Sequence, residues 1–375
     1  MAKSMMQAVG VVPGQRDVRL MEHEAPKVSA ANHAKIRSLE VGVCGTDREI
    51  CTFVYGSPPT GFEYLVLGHE SLGEVTEVGS AVSRFKPGDL VVPSVRRPCP
   101  HAHCLACRED KQDFCYTGDF TERGIKMTHG FLTEYYVDEE KYLTYVPPGL
   151  REVAVLVEPL TVAEKGLAQV RKVQQRLPWV TPKTPPDQIG KGKQAVVLGA
   201  GPVGILGAML LLVNGFKTYV YSRSQAPNPK SELVDSLGAK YISCEVESVD
   251  QLAERVGDID LVYEAVGTAK ISYDVLRVLG MNGVYVFTGI PAPKPPVPID
   301  ADLIMRNLVL KNQVVVGTVN ADREAFAGAI RDLGVFLKRW PTALRSLITG
   351  RYKIDQYREL LLGKASGIKN VIALV

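Results

Sequence analysis

No stretch of the 375 residues reaches the roughly 18 uninterrupted apolar positions that a membrane-spanning helix needs. Met1-Ala2-Lys3-Ser4-Met5-Met6-Gln7 also lacks the apolar core of a signal peptide, so a soluble cytoplasmic protein without a membrane partner is expected. Surplus charge is scarce as well. Forty-four basic residues against 41 acidic ones leave a net +3, and no Lys/Arg run occurs, which argues against nucleic acid and for small-molecule chemistry. Cysteines number seven, and four of them crowd between positions 99 and 115. That distribution does not suit a spread disulfide framework; in a reducing compartment it points to metal. Cys51 and Cys244 read as plain core thiols.

At this length, with 46% hydrophobic residues, two domains are expected. Residues 7–45 alternate apolar and polar positions in short runs broken by Pro13, Gly14, Pro26 and Asn32, and similar runs continue through Gly73–Val78 and Leu90–Pro93. Short Gly-punctuated strands predict a partly closed antiparallel β domain. Apolar residues spaced three and four apart from Leu160 to Val173 predict a helix. The Pro- and Gly-rich segment 178–193 reads as a linker. Beyond it, Ala195-Val196-Val197-Leu198-Gly199-Ala200-Gly201-Pro202-Val203-Gly204 is an apolar strand, a tight turn and the start of an apolar helix. In that setting G-x-G-x-x-G is a dinucleotide fingerprint: Gly199 permits the turn, Gly201 admits a pyrophosphate, and Gly204 lets helix and strand pack. Further strands at 218–221, 259–265, 283–289 and 314–317 imply a doubly wound parallel sheet. Its second strand ends in Tyr221-Ser222-Arg223-Ser224, with no acid to receive ribose hydroxyls. Arg223, with Ser222 and Ser224, suits a 2′-phosphate, so NADP is expected, with NAD use open.

The β domain carries the residues suited to chemistry. Cys44, in Val41-Gly42-Val43-Cys44-Gly45-Thr46-Asp47, is a thiol presented at a strand end. His69-Glu70 follows an apolar strand and Gly68, which lets both side chains turn into a cleft. Glu158 is a carboxylate within an apolar run; a cation explains it, and a solvated helix start is the plain alternative. Cys104, Cys107 and Cys115 suit a tetrahedral structural zinc, with Cys99 or His101 as fourth ligand and Cys99 favoured.

Taken together, these motifs resemble the zinc-containing medium-chain dehydrogenase/reductase superfamily, and within it the glucose 1-dehydrogenase branch. Cys44-Gly45-Thr46-Asp47-Arg48-Glu49-Ile50, Leu67-Gly68-His69-Glu70, the cysteine lobe, Asp113-Phe114-Cys115, Glu158-Pro159-Leu160, the Gly-rich turn, Ser222-Arg223 and Gly317-Thr318-Val319-Asn320 fall in the family's order along essentially the whole chain. The resemblance implies a GroES-like catalytic domain at 1–189 with its structural-zinc lobe near 96–116. It further implies a Rossmann domain at 190–318 and a return to the catalytic domain at 319–375. It makes Cys44 and His69 ligands of a catalytic zinc, with Glu70 and Glu158 as its carboxylates, Thr46 as a proton relay or merely a turn residue, and Asp47 as support for His69 or a helix cap. Sugar contacts fall to Thr46, Glu122, Glu158 and Asn320. The cofactor falls to Gly199, Gly201, Pro202, Val203, Gly204, Ser222, Arg223, Ser224, Ala265, Gly267, Thr288, Gly289 and Asn320.

The implied reaction is hydride transfer from C1 of an aldose, glucose first, to NADP, in a homodimer or homotetramer. Two departures from the pattern stand out. Val95 precedes Arg96-Arg97 where the family tends to carry Asn, and the lobe is two residues longer between Cys99 and Cys104, which puts His101 where the usual spacing has the first Cys. Another polyol or secondary-alcohol dehydrogenase is the neighbouring alternative; a zinc-free enone reductase and a non-catalytic NADP-binding protein are the remote ones.

Overall fold

The computed structural model describes residues 4–181, 183–185, 188–292, 294–363 and 366–374. It divides into two compact units, Met1–Thr161 with Asn320–Val375, and Val162–Val319. The Pro-rich stretch 178–193 lies within the second unit; of its prolines, Pro182 and Pro186 fall outside the described residues.

The first unit is built on the strand His33–Val43, whose Ala34, Ile36, Leu39, Val41 and Val43 are buried. Glu70–Val78, Tyr135–Glu139 and Lys369–Ala373 all pair with it antiparallel. Leu90–Pro93 and Leu143–Val146 extend the sheet on one side, and Ile348–Lys353 adds in parallel to Lys369–Ala373 on the other. A second sheet places Met5–Val12 between Asp17–Glu24 and Leu65–Val66. Val9, Val11, Val41, Leu67, Phe131, Leu132 and Ile372 share one core. Each of these side chains stabilises the fold by roughly 1.5–3 kcal/mol relative to exposure. The consequence for chemistry is register: Gly42 faces Glu70, and Asn370 faces Val43, one residue before Cys44.

The segment leading to His69 is pinned by an aromatic cluster. The His129 ring stacks on Tyr64 with centroids 5.1 Å apart, His23 Nδ1 lies 2.8 Å from the Tyr64 hydroxyl, and the Val66 N–H donates to His129 Nδ1 at 3.1 Å. Burial, with His23 and Arg123 adding, lowers the His129 imidazole to about 4. The folded state therefore binds fewer protons than the unfolded chain. The stability carried by neutral His129 is full above about pH 6.5 and is lost as the pH falls toward 4. Urea midpoints should drop across that window, and His129→Gln, which keeps an acceptor for Val66, should flatten the drop. Identical pH slopes for the two proteins would rule His129 out as the cause.

The second unit is a six-stranded sheet in the order Lys240–Ser243, Lys217–Ser222, Gln194–Leu198, Leu261–Glu264, Val284–Phe287, Val314–Gly317, parallel throughout. Chain order reverses between Gln194–Leu198 and Leu261–Glu264, and a ligand crevice opens at the carboxyl ends of strands at such a point. The helix Pro202–Val213 begins there with Gly201 as its N-cap and Pro202 in its first turn. A Cβ on Gly204 would lie 2.1 Å from the Gly199 carbonyl oxygen, so only glycine permits this approach of turn and helix. The predicted helix near 160–173 spans Val157–Gln174, and its Ala163, Gly166, Leu167 and Val170 face Leu261, Tyr263 and Val286 of the sheet.

Candidate active site

Cys44 ends the central strand and caps the short helix Gly45–Ile50. Its Sγ accepts from the Thr46 N–H at 3.2 Å, while Asp47 Oδ2 accepts from the Cys44 N–H at 2.9 Å. Asp47, fully buried, also sets its Oδ1 3.2 Å from His69 Nδ1. One carboxylate thus caps the helix through Oδ2 and approaches the His69 ring through Oδ1. With Nδ1 turned toward Asp47, His69 aims Nε2 at Cys44 Sγ, 3.1 Å away. Burial opposes a proton on His69, but the Cys44 and Asp47 charges outweigh it and hold the imidazole well above its usual range. The ligand atoms of Cys44, Asp47 and His69 lie within 4.8 Å of one another, as do those of His69, Glu70 and Glu158. A thiol, an imidazole and carboxylates gathered around the buried His69 ring form a donor set that fits zinc.

The two carboxylates differ. Lys369, 1% exposed, donates to both oxygens of Glu70, at 2.7 and 2.6 Å, and to the Val43 carbonyl at 3.3 Å. Burial alone would disfavour an ammonium there, but Glu70 more than offsets it and raises the Lys369 pKa. Gly42 makes room for this pair, since a Cβ there would lie 2.1 Å from Glu70 Oε2. Glu158, at the start of its helix, has no such cation among the described residues. Burial lifts its carboxyl to about 7, with His69 opposing and Glu70 adding. Lys369 was absent from the sequence reading because its contact spans 299 positions. The available signal was a lone Lys, followed by Asn370, ahead of the apolar run Val371-Ile372-Ala373.

In the cysteine lobe, ligand atoms of Cys99, Cys104, Cys107 and Cys115 lie within 4.8 Å of one another. The Cys99 N–H donates to Cys107 Sγ at 3.3 Å. His101 instead pairs with Asp119 on the surface, so the extra residues of the loop carry its ring away from the four thiols. Burial resists ionisation of Cys115, yet hydrogen bonds from Thr117 and Gly118 bring the thiol down to about 6. A low thiol pKa favours the thiolate form that zinc requires.

Glu122 and Asn320, the expected sugar contacts, meet directly: Asn320 Nδ2 donates to Glu122 Oε1 at 2.9 Å. Arg96 donates to the same oxygen through Nε and Nη2, both at 3.0 Å, while its guanidinium stacks 3.6 Å from the Phe120 ring centroid. Oε1 is thus held by two partners, and Oε2 keeps its capacity to accept. Val95, 2% exposed, packs its side chain into the core, where it can offer no hydrogen bond, while its carbonyl accepts from the Arg123 N–H at 3.0 Å.

Family models match both regions of the chain: "Alcohol dehydrogenase GroES-like domain" over residues 30–148 and "Glucose dehydrogenase C-terminus" over 151–374. A glucose 1-dehydrogenase from Methanocella arvoryzae is 35% identical over 370 residues, covering 98% of this chain and 99% of that one. The chain belongs to the glucose dehydrogenase branch of the zinc-containing medium-chain dehydrogenases. Glucose 1-dehydrogenase 1 of Caldivirga maquilingensis is 37% identical over 375 residues, covering 98% of this chain and 99% of the other. A solved structure, Haloferax mediterranei glucose dehydrogenase in complex with NADP, Zn and gluconolactone, aligns at a TM-score of 0.87 with 30% identity over 99% of each chain. Membership of this family makes the protein an NAD(P)-dependent oxidoreductase.

In this glucose dehydrogenase-family chain, the cofactor unit places Gly199, Gly201, Pro202, Val203 and Gly204 at the strand–helix turn and Ser222, Arg223 and Ser224 at the end of the neighbouring strand. Ala265, Gly267, Thr288 and Gly289 lie past the ends of the next two strands. Sequence reasoning missed what joins those last two turns. Glu264, 1% exposed, accepts the Val266 and Gly267 N–H groups on Oε1, at 2.8 and 2.6 Å, and the Gly289 N–H on Oε2 at 3.0 Å. An acid closing an otherwise apolar strand, Leu261-Val262-Tyr263-Glu264, was the signal available.

Proposed function

We propose that this chain oxidises an aldose, glucose first, at C1. Hydride passes to NADP (NAD serving less well), the hydroxyl proton leaves to solvent, and the aldonolactone is released. The observation that supports this most is that buried His69 gathers ligand atoms of Cys44 and Asp47 on one side and of Glu70 and Glu158 on the other, in a chain whose relatives are glucose 1-dehydrogenases. Cys44, His69 and Glu158 would hold the catalytic zinc, because Lys369 occupies both oxygens of Glu70. Cys99, Cys104, Cys107 and Cys115 would hold the structural one. Zinc bound at the first site supplies a Lewis acid that lowers the pKa of the C1 hydroxyl. Asp47 keeps His69 in the tautomer that presents Nε2. Thr46 carries the hydroxyl proton outward. Glu122, Glu158 and Asn320 accept and orient the remaining sugar hydroxyls, and Arg96 keeps Glu122 aimed through its two hydrogen bonds to Oε1. The Gly199–Gly204 turn, Ala265, Gly267, Thr288 and Gly289 seat the cofactor, and Ser222, Arg223 and Ser224 take its 2′-phosphate. Initial rates of the zinc-loaded enzyme on glucose, galactose, xylose, sorbitol and simple alcohols, each with both cofactors, test this. Glucose with NADP should be fastest. No aldose rate above that of a simple alcohol would instead favour the secondary-alcohol reading.

We further propose a cytoplasmic homodimer, or a tetramer made of such dimers. Among the described residues no helix is long and apolar enough to cross a membrane. Val314–Gly317 is the open edge of the six-stranded sheet. Nearby in sequence, the helix Ala301–Leu310 exposes Met305 by 64%, Val309 by 71% and Leu310 by 69%. Apolar side chains and unpaired strand edges of this kind are normally covered, and a two-fold copy would cover both at once. Val309→Glu should shift the mass measured by light scattering toward the monomer. An unchanged mass would place the interface elsewhere.

A further inference from the structure

The turn assigned to the 2′-phosphate is exposed at Arg223 and Ser224, yet its backbone is held throughout by the adjacent strand Lys240–Ser243. The Ser222 carbonyl accepts from the Cys244 N–H at 2.9 Å. The Arg223 carbonyl accepts from Ser243 Oγ at 2.8 Å, and the Ser224 carbonyl accepts from the Tyr241 hydroxyl at 2.7 Å. Ser243 is buried, and its Oγ also accepts from the Glu245 N–H at 3.2 Å, so its one proton is committed to Arg223. Only the first of these three bonds continues the strand ladder, in which Ser222 pairs with Ser243. The other two come from side chains reaching past its end.

We infer that Tyr241 and Ser243 are positioning residues for cofactor choice: they fix the peptide planes of the Ser222-Arg223-Ser224 turn in advance, so that the Arg223 guanidinium meets a 2′-phosphate without first ordering the loop. This rests on the reading of Arg223 as the phosphate residue. The physical basis is preorganisation. Ordering a loop and a long side chain at the moment of binding subtracts from affinity, and a turn tied beforehand avoids that cost. NAD carries a hydroxyl where NADP carries the phosphate and has no need of the guanidinium fork. Loosening the turn therefore weakens NADP selectively. Among the described residues no acid pairs with Arg223, which leaves the guanidinium free for an anion.

KM values for NADP and NAD, measured on the zinc-loaded enzyme for Ser243→Ala, Tyr241→Phe, the double variant and Ser243→Thr, provide the test, with Arg223→Ala as reference and thermal melts alongside. Each single variant should raise the NADP KM about fivefold, the effect of one net hydrogen bond. The NAD KM should stay within about twofold, the double variant should approach Arg223→Ala, and Ser243→Thr, which keeps the hydroxyl, should resemble the parent. If Arg223→Ala removes the NADP preference while the Ser243 and Tyr241 variants shift both KM values together or neither, the positioning role is overturned. If Arg223→Ala itself leaves the preference intact, the phosphate assignment fails first and this inference falls with it. A loss of folding in Ser243→Ala leaves Tyr241→Phe, which changes one hydroxyl on a half-buried ring, to decide.

Discussion

Cys44→Ala should lower kcat/KM on glucose by about a thousandfold or more, reduce zinc from two ions per chain to one, and leave NADP binding within about twofold of the parent. The magnitude follows from the contribution of a Lewis acid at the reacting oxygen. Several kcal/mol of transition-state stabilisation disappear with it, and each 1.36 kcal/mol is a factor of ten. The separation of effects follows from placement. Cys44 stands beside His69 at the end of the central strand of the first unit, whereas the glycine turn and Arg223 belong to the second. Cys51 serves as the control. It is buried, and that burial, with the Asp47 charge adding, pushes its thiol up to about 12, so it has no tendency to bind metal as a thiolate. Cys51→Ala should keep both zinc ions and most of the activity. Full activity in Cys44→Ala would remove the metal mechanism.

Lys369→Met should destabilise the protein by about 3–5 kcal/mol, because the Glu70 carboxylate would be left in the core without its cation. The two partners are 1% and 3% exposed at their side chains, and both Glu70 oxygens lie within 2.7 Å of Nζ. Water has no ready access to compensate. For a unit of this size the melting temperature should fall by about 10 °C. The pair's own net worth is a different quantity, since two buried charges must be desolvated before they attract. Replacing both, in Glu70→Met with Lys369→Met, should therefore recover most of the lost stability. A double variant as unstable as Lys369→Met would show that the damage comes from lost packing of the lysine stem. Gly42→Ala tests the same locus from the other side, because its methyl group would displace Glu70 without altering any charge.

What the sequence displayed and what it concealed divide along a physical line. The glycine turn at 199–204, the parallel strands and the helix after Glu158 follow from rules that act within a few residues: close approach, alternation and helical spacing. The metal-ligand candidates were visible for the same reason, since His69-Glu70 and the four lobe cysteines are short motifs. Pairings decided by register between distant strands were not. Lys369 reaches Glu70 because Lys369–Ala373 lies antiparallel to His33–Val43, and nothing near position 369 announces that alignment. Arg96 and Asn320 converge on Glu122 across 26 and 198 positions. Glu264 was passed over because its partners are backbone N–H groups, which every residue but proline carries and which leave no compositional trace. His101 shows the opposite case: spacing offered it as the alternative to the favoured Cys99, and in the structure it pairs with Asp119 while Cys99 stands with the other three thiols.

The central claim is that hydride leaves C1 of glucose for the nicotinamide. Incubating the zinc-loaded protein with NADP and glucose deuterated at C1 tests this directly, with the nucleotide and the sugar product read by NMR. The account predicts one deuterium at C4 of the reduced nicotinamide for each lactone formed, and a slowed turnover relative to unlabelled glucose if hydride transfer limits the rate. Reduced nucleotide without deuterium, or sugar that keeps its label while NADP is reduced, would contradict it.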